Sequence, residues 1–202
     1  MEIRLYSSQD GVTKLGPGVR YVIWTQGCVR NCPGCMTPES QPLDQGKLQS
    51  VETVAKRIIQ SGRNGITISG GEPFLQAEAL CELISMIRKE RDIGVIIYTG
   101  YTIEEIRAVN NVFFQKLLGM CDLIIDGAYI EELNDGKNLR GSSNQRAIAL
   151  TDRYKEDANE YGTRPAEVEF FFKEDKISMV GVPSHYMLER IKKNTAKEED
   201  GK

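Results

Sequence analysis

At 202 residues, of which 40% are hydrophobic, the chain is long enough for one ordinary domain with a real core. Its 26 basic and 29 acidic residues leave a net charge of −3, which offers no footprint for nucleic acid. No apolar run approaches the roughly 20 residues that span a bilayer, and the single histidine, His185, argues against His-based triads and His-rich metal sites. No signal peptide is evident, so the expectation is a soluble, cytoplasmic protein whose cysteines stay reduced.

Ile3 and Leu5 alternate with polar residues in the stretch Met1 to Thr13, which predicts an edge strand and a loop. Leu15-Gly16-Pro17-Gly18-Val19-Arg20 reads as a tight turn, and the β-branched and aromatic run Tyr21 to Thr25 as a buried strand. That strand leads into Cys28-Val29-Arg30-Asn31-Cys32-Pro33-Gly34-Cys35, which places three thiols spaced C-x3-C-x2-C on a loop at a strand's C-terminal end. In α/β folds sites gather at such ends.

Three readings of the thiols compete. A disulfide needs an oxidising compartment and leaves one of the three cysteines unpaired. A structural zinc takes four protein ligands, often as two C-x2-C pairs; no second pair follows and His185 lies far along the chain, so Cys81 or Cys121 would have to be recruited. An iron–sulfur cluster on three thiolates leaves one iron open to a substrate or cofactor, and this reading accounts for the missing fourth ligand.

After Cys35 a polar loop containing proline and glycine is expected to run to Gln49. Ser50 then caps a helix marked by Val51, Val54, Ala55, Ile58 and Ile59. A strand over Gly65 to Ser69 runs into Gly70-Gly71-Glu72-Pro73, followed by a helix from about Gln76 to Lys89 with Leu80, Leu83, Ile84 and Ile87 on one face. Cys81 beside that face, and Cys121 further on, read as small core residues. Gly94 to Thr99 is again a strand. Thr102 and Glu105 have capping-box spacing and open one helix through Ile106, Val109, Phe113 and Leu117. A fourth strand covers Asp122 to Gly127, so strands and helices alternate over residues 20–127 and predict a parallel sheet covered by helices.

By composition, Gly136 to Arg146 reads as a solvated loop and residues 151–166 as charged and exposed. Val168 to Phe172 and Ile177 to Val180 predict a hairpin around Lys173-Glu174-Asp175-Lys176, His185 to Lys193 a short helix, and 196–202 a disordered end. The expected division is a core over 1–150 and a C-terminal extension of the same domain over 151–202.

The three-cysteine motif, followed after a helix and a strand by Gly70-Gly71-Glu72-Pro73, resembles the radical S-adenosylmethionine (SAM) superfamily. Gly16-Pro17-Gly18-Val19-Arg20, Gly27-Cys28, Cys32-Pro33-Gly34-Cys35, Tyr98-Thr99-Gly100-Tyr101, Asp126-Gly127 and Arg140-Gly141-Ser142-Ser143-Asn144-Gln145 further resemble the activating enzymes of anaerobic ribonucleotide reductase, over roughly residues 14–146. Leu15, where those enzymes usually have Asp or Asn, and Met36-Thr37, in place of an aromatic or His followed by Asn, depart from the pattern.

The resemblance implies a small, incomplete (β/α) barrel, mostly parallel, with the hairpin as an addition. It implies a [4Fe–4S] cluster on Cys28, Cys32 and Cys35, with S-adenosylmethionine bound at the open iron and held by Gly70, Gly71, Glu72 and Pro73. Asp126 and Asn144 join that cofactor-binding set, and the loop Arg140 to Gln145 becomes a wall of the SAM or partner site. The implied reaction is reductive cleavage of S-adenosylmethionine to a 5′-deoxyadenosyl radical, with flavodoxin or ferredoxin as reductant, to make a glycyl radical on a partner such as anaerobic ribonucleotide reductase. The alternatives are a radical SAM enzyme acting on another peptide, protein or small molecule, and a cluster- or zinc-bearing binding module without turnover.

Overall fold

The computed structural model describes residues 1–173 and 176–191 of the chain. Its elements run β1 (Glu2–Val12), β2 (Arg20–Thr25), β3 (Lys47–Ser50), α1 (Val51–Gln60), β4 (Gly65–Gly70), α2 (Ala77–Glu90), β5 (Gly94–Tyr98), α3 (Ile103–Ala108), α4 (Val112–Met120) and β6 (Leu123–Asp126). Then come β7 (Arg146–Ala149), α5 (Lys155–Glu160), β8 (Val168–Lys173) and β9 (Lys176–Gly181), and residues 185–191 are helical. The expected disordered end at 196–202, the centre of the hairpin turn and the last two residues of the expected helix lie outside the described residues.

A seven-stranded sheet has the order β3-β1-β2-β4-β5-β6-β7. Its centre, β2-β4-β5-β6, is parallel, while β1 joins β2, β3 joins β1 and β7 joins β6 antiparallel. The fold is therefore α/β with a mixed sheet. The hairpin β8–β9 forms a separate two-stranded sheet.

Four elements differ from expectation. β1 runs longer than expected, to Val12, and is an edge strand only in its second part: Glu2 to Leu5 pair with Ser50 to Lys47, so β3 covers its start. β3 is a short, half-exposed strand inside a polar stretch and forms because β1 offers it a ladder; β7 follows the polar loop 136–145 as a short apolar run, with Ile148 packed against the main core and Ala147 and Ala149 against the opposite face. The single helix expected after Thr102 is two, since Asn111 caps α4 by accepting from Phe113 N–H. The Thr102–Glu105 capping box is present as expected.

Alternation along the strands sorts the sheet's two faces. Ile23, Ile66, Ile68, Val95, Ile97 and Ile124 face the helices and form the main core with Val54, Ile58, Leu80, Leu83, Ile84 and Leu117. On the other face, Val22 packs with Val12, Leu15, Val180 and Val182, and Ile96, Leu123 and Ile125 pack with Tyr154. Residues after 150 thus cover the face that the helices leave open, and Tyr154, in the stretch expected to be exposed, is buried.

Arg20 closes the lower end of this face. It is 1% exposed, and its guanidinium donates to Thr67 Oγ1, Pro17 O, Tyr154 Oη, Ile66 O and Gly94 O. One side chain ties the turn before β2 to β4, β5 and the C-terminal segment.

Candidate cysteine-lined cavity

All four parallel strands end on the same side of the sheet, and the loops that follow them meet around a cavity of about 440 Å³. After β2 come Cys28, Cys32 and Cys35; after β4, Gly71 and Glu72; after β5, Thr99 and Gly100; after β6, Gly127 and Tyr129. The fold brings together the motifs that lie tens of residues apart in sequence.

The cysteine loop is clamped at its base. Gly27 N–H donates to Ser40 O at 2.8 Å and Cys28 N–H to Gln41 O at 2.9 Å. Gly71 N–H donates to Thr25 O and Glu72 N–H to Gly27 O, both at 2.8 Å. These contacts explain the glycine pair. A Cβ on Gly70, whose φ is +106°, would lie 2.4 Å from Thr25 O, and one on Gly71 would lie 2.2 Å from Gly27 O. The Gly-Gly step lets one loop's backbone press against the backbone of the loop carrying the cysteines.

Glu72 is fully buried and accepts three hydrogen bonds, from Phe74 N–H at 3.1 Å, Thr99 Oγ1 at 2.7 Å and Gly100 N–H at 2.8 Å. It braces the ends of β4 and β5 against each other. Burial pushes its carboxyl up to about 7, against the opposing effect of those hydrogen bonds and of nearby Arg30. Pro73 is also buried, at the start of a short 3-10 turn.

Arg30 was not singled out by the sequence. Its guanidinium stacks over Tyr101, 4.2 Å from the ring centre, and pairs with Glu105. This fixes the cysteine loop to the loop after β5. Trp24, Tyr98 and Tyr129 also line the cavity, and nothing in the local pattern of a strand or loop distinguishes them from core aromatics.

Cys28, Cys32 and Cys35 are free and partly exposed. Burial raises the Cys28 thiol, while the backbone N–H groups of Arg30 and Asn31 aim at it and oppose that rise; Arg30 N–H lies 3.4 Å from Sγ. Cys81 and Cys121 are buried as expected, with their sulfurs against backbone carbonyls of Phe113 and of Val95 and Leu123. Burial pushes the Cys81 thiol up to about 11 and the Cys121 thiol higher still, so neither is a poised ligand.

Asp126 does not line the cavity: its carboxylate accepts from Ile103 N–H and from the Arg146 guanidinium. Asn144 likewise turns away and donates to Ala128 O at 2.8 Å. From the loop 140–145, Gly141 and Gln145 reach the cavity wall. Gln145 holds that loop in place, accepting from Gly141 N–H and donating to Gly127 O, both at 2.8 Å. His185 is nearer than its sequence position suggests: Nδ1 is 4.0 Å from Glu131, whose carboxylate lies against Gly34.

The donor set fits an iron–sulfur cluster, which thiolates hold. Three thiols line one cavity, with backbone amides directed at one of them.

A cavity at the C-terminal ends of parallel strands, carrying three thiols and a Gly-Gly-Glu-Pro turn, defines a protein of the radical SAM class. A family described as "4Fe-4S single cluster domain" matches residues 14–148. The anaerobic ribonucleoside-triphosphate reductase-activating protein of Enterobacteria phage T4 is 34% identical over 145 residues, which is 68% of this chain and 88% of that protein. The protein of the same name from Vibrio cholerae is 33% identical over 139 residues, 64% of this chain and 87% of its own length. Pyruvate formate-lyase 1-activating enzyme of Escherichia coli is 29% identical over 153 residues, 72% of this chain and 59% of that enzyme. The chain belongs to the 4Fe-4S single cluster family and, within it, to the anaerobic ribonucleoside-triphosphate reductase-activating proteins.

Proposed function

We propose that Cys28, Cys32 and Cys35 hold a [4Fe–4S] cluster and that the turn Gly70 to Pro73 holds S-adenosylmethionine beside it, so that the chain activates an anaerobic ribonucleotide reductase. With both bound, the cluster would pass one electron, from a donor such as flavodoxin or ferredoxin, to the sulfonium, giving methionine and a 5′-deoxyadenosyl radical that would take a hydrogen from a glycine of the partner. The observation that carries this reading is the shared cavity: the three thiols, Gly70, Gly71 and Glu72, and the loops after β5 and β6 all line it, while Pro73 is buried behind the turn.

The protein's part is positioning. Gly70 and Gly71 seat the turn against the base of the cysteine loop, and Arg30 fixes the far side of that loop to Tyr101 and Glu105. Glu72 acts first as the brace between β4 and β5; its Oε2, which accepts from Gly100 N–H, would also take the ammonium of the cofactor. Asp126 and Asn144 act through neighbours, Asp126 by anchoring the start of α3 and Asn144 by anchoring residue 128.

The sheet, open at β3 and β7, is in this reading an incomplete (β/α) barrel, and the described residues after 150 extend the same domain over its inner face. None of the described helices is long and apolar enough to cross a membrane. The cytoplasm, where thiols stay reduced, suits the chemistry. The test is to incubate the reconstituted, reduced protein and S-adenosylmethionine with its organism's anaerobic reductase. A glycyl-radical doublet in the reductase's EPR spectrum is expected. Production of 5′-deoxyadenosine without that doublet would move the assignment to another peptide, protein or small-molecule substrate.

A further inference from the structure

We propose that β9 is the wall of the cavity that receives the substrate, and that it takes an extended polypeptide as an added β-strand. The proposal rests on the reading above, in which the substrate is a glycine within a protein. It names the element of this chain that would hold that segment.

The first observation is which residues of the hairpin meet the cavity. Every residue from 177 to 183 lines it, and none of β8 does. A strand that turned one face to a cavity would contribute alternate residues only. An uninterrupted run means that β9 lies edge-on, with its backbone groups along the cavity wall. Among the described residues β9 pairs with β8 alone, so its cavity-side edge carries N–H and C=O groups with no strand beside them. Such an edge is a template for pairing with another chain.

The second observation is that the edge is held firmly. Phe171 and Val180 pack into the cluster of Val12, Leu15 and Val22. Glu169 accepts from Thr13 N–H at 2.7 Å and Lys14 N–H at 3.0 Å. The hairpin is thus fixed to the sheet at its base while β9 borders the cavity.

The third is the surface beside the edge. Register pairs Phe170 with Met179 and Phe172 with Ile177 on one face of the hairpin. Phe170, Phe172 and Ile177 are 52%, 77% and 67% exposed. An added strand would lay alternate apolar side chains against this platform while its backbone paired with β9. The cysteines line the same cavity, so a segment held on β9 is led toward them.

The test uses the reconstituted full-length protein with S-adenosylmethionine. The probe is a synthetic peptide of about ten residues that copies the glycine-containing loop of its organism's anaerobic reductase, a length that covers one strand. Peptide binding is followed by fluorescence anisotropy, and amide hydrogen exchange is followed by mass spectrometry across 176–181. Binding with slowed exchange in β9 is the expected result, and N-methylation of alternate peptide nitrogens should weaken binding about tenfold in one of the two registers, through the loss of ladder hydrogen bonds.

Binding with unchanged exchange in β9, or equal binding of both N-methylated peptides, would overturn the proposal. So would absence of binding by a protein that still forms 5′-deoxyadenosine when reduced by dithionite. A loaded protein that forms no 5′-deoxyadenosine fails at the earlier reading instead. That control separates the two failures.

Discussion

At Gly71, Gly27 O and Ser40 O both lie within 2.8 Å of where a Cβ would sit, and both are backbone atoms that cannot swing away. Gly71→Ala is therefore expected to force the turn off the cysteine loop. It should destabilise the fold by roughly 1–3 kcal/mol and lower the iron retained after reconstitution; wild-type stability and iron content would contradict the account. Glu72 makes a pH prediction for the cofactor-free protein. Its carboxyl is raised to about 7 from 4.5, so the folded state binds more protons between those values. Its contribution must make stability fall as pH rises through that window and stay level above it, by ~3 kcal/mol in all. Glu72→Gln should remove this slope, and urea midpoints at pH 5 and pH 8 measure it; a variant as pH-dependent as the wild type would sink the idea. The motif containing Glu72 was legible in the sequence, but its three internal donors were not, because Thr99 and Gly100 reach it across some 27 positions.

The C-terminal segment tests the fold at the scale of elements. Tyr154 Oη accepts from the buried Arg20 guanidinium at 2.8 Å, one of five contacts to neutral oxygens. Tyr154→Phe should cost about 1–3 kcal/mol by leaving a buried charged donor short of a partner, read as a lower urea midpoint. An unchanged midpoint would mean that the segment does not brace the sheet. Elements were legible where burial alone wrote the pattern: β2, β5 and β6 hold apolar runs, β4 is a buried β-branched stretch bounded by glycines, and α1 and α2 carry clear apolar stripes. β3 was hidden because an edge strand beside an existing ladder needs few apolar residues, and β7 because its apolar run Ala147 to Leu150 is short and lies between two polar, charged stretches. The break between α3 and α4 was hidden because Val109 and Phe113 keep helical spacing across it. Burial of Tyr154 was lost among the charges around it.

Over the whole molecule, one face of the sheet is stability and the other is access. Helices α1 to α4 bury the first face, while the second is closed at the bottom by Arg20 and Tyr154 and flanked at the cavity by the hairpin. The sequence motifs sufficed to assemble the cysteines and the Gly-Gly-Glu-Pro turn into one site. The hairpin was visible too, but its edge-on seat beside the cavity depends on long-range contacts such as Glu169 with Thr13. The most direct test of the central claim is anaerobic: reconstitute the protein with iron and sulfide, reduce it with dithionite, add S-adenosylmethionine and quantify 5′-deoxyadenosine, with Cys32→Ala alongside. The account predicts product from the wild type and essentially none from the variant. Absence of product from fully iron-loaded wild type, or equal product from Cys32→Ala, would contradict it.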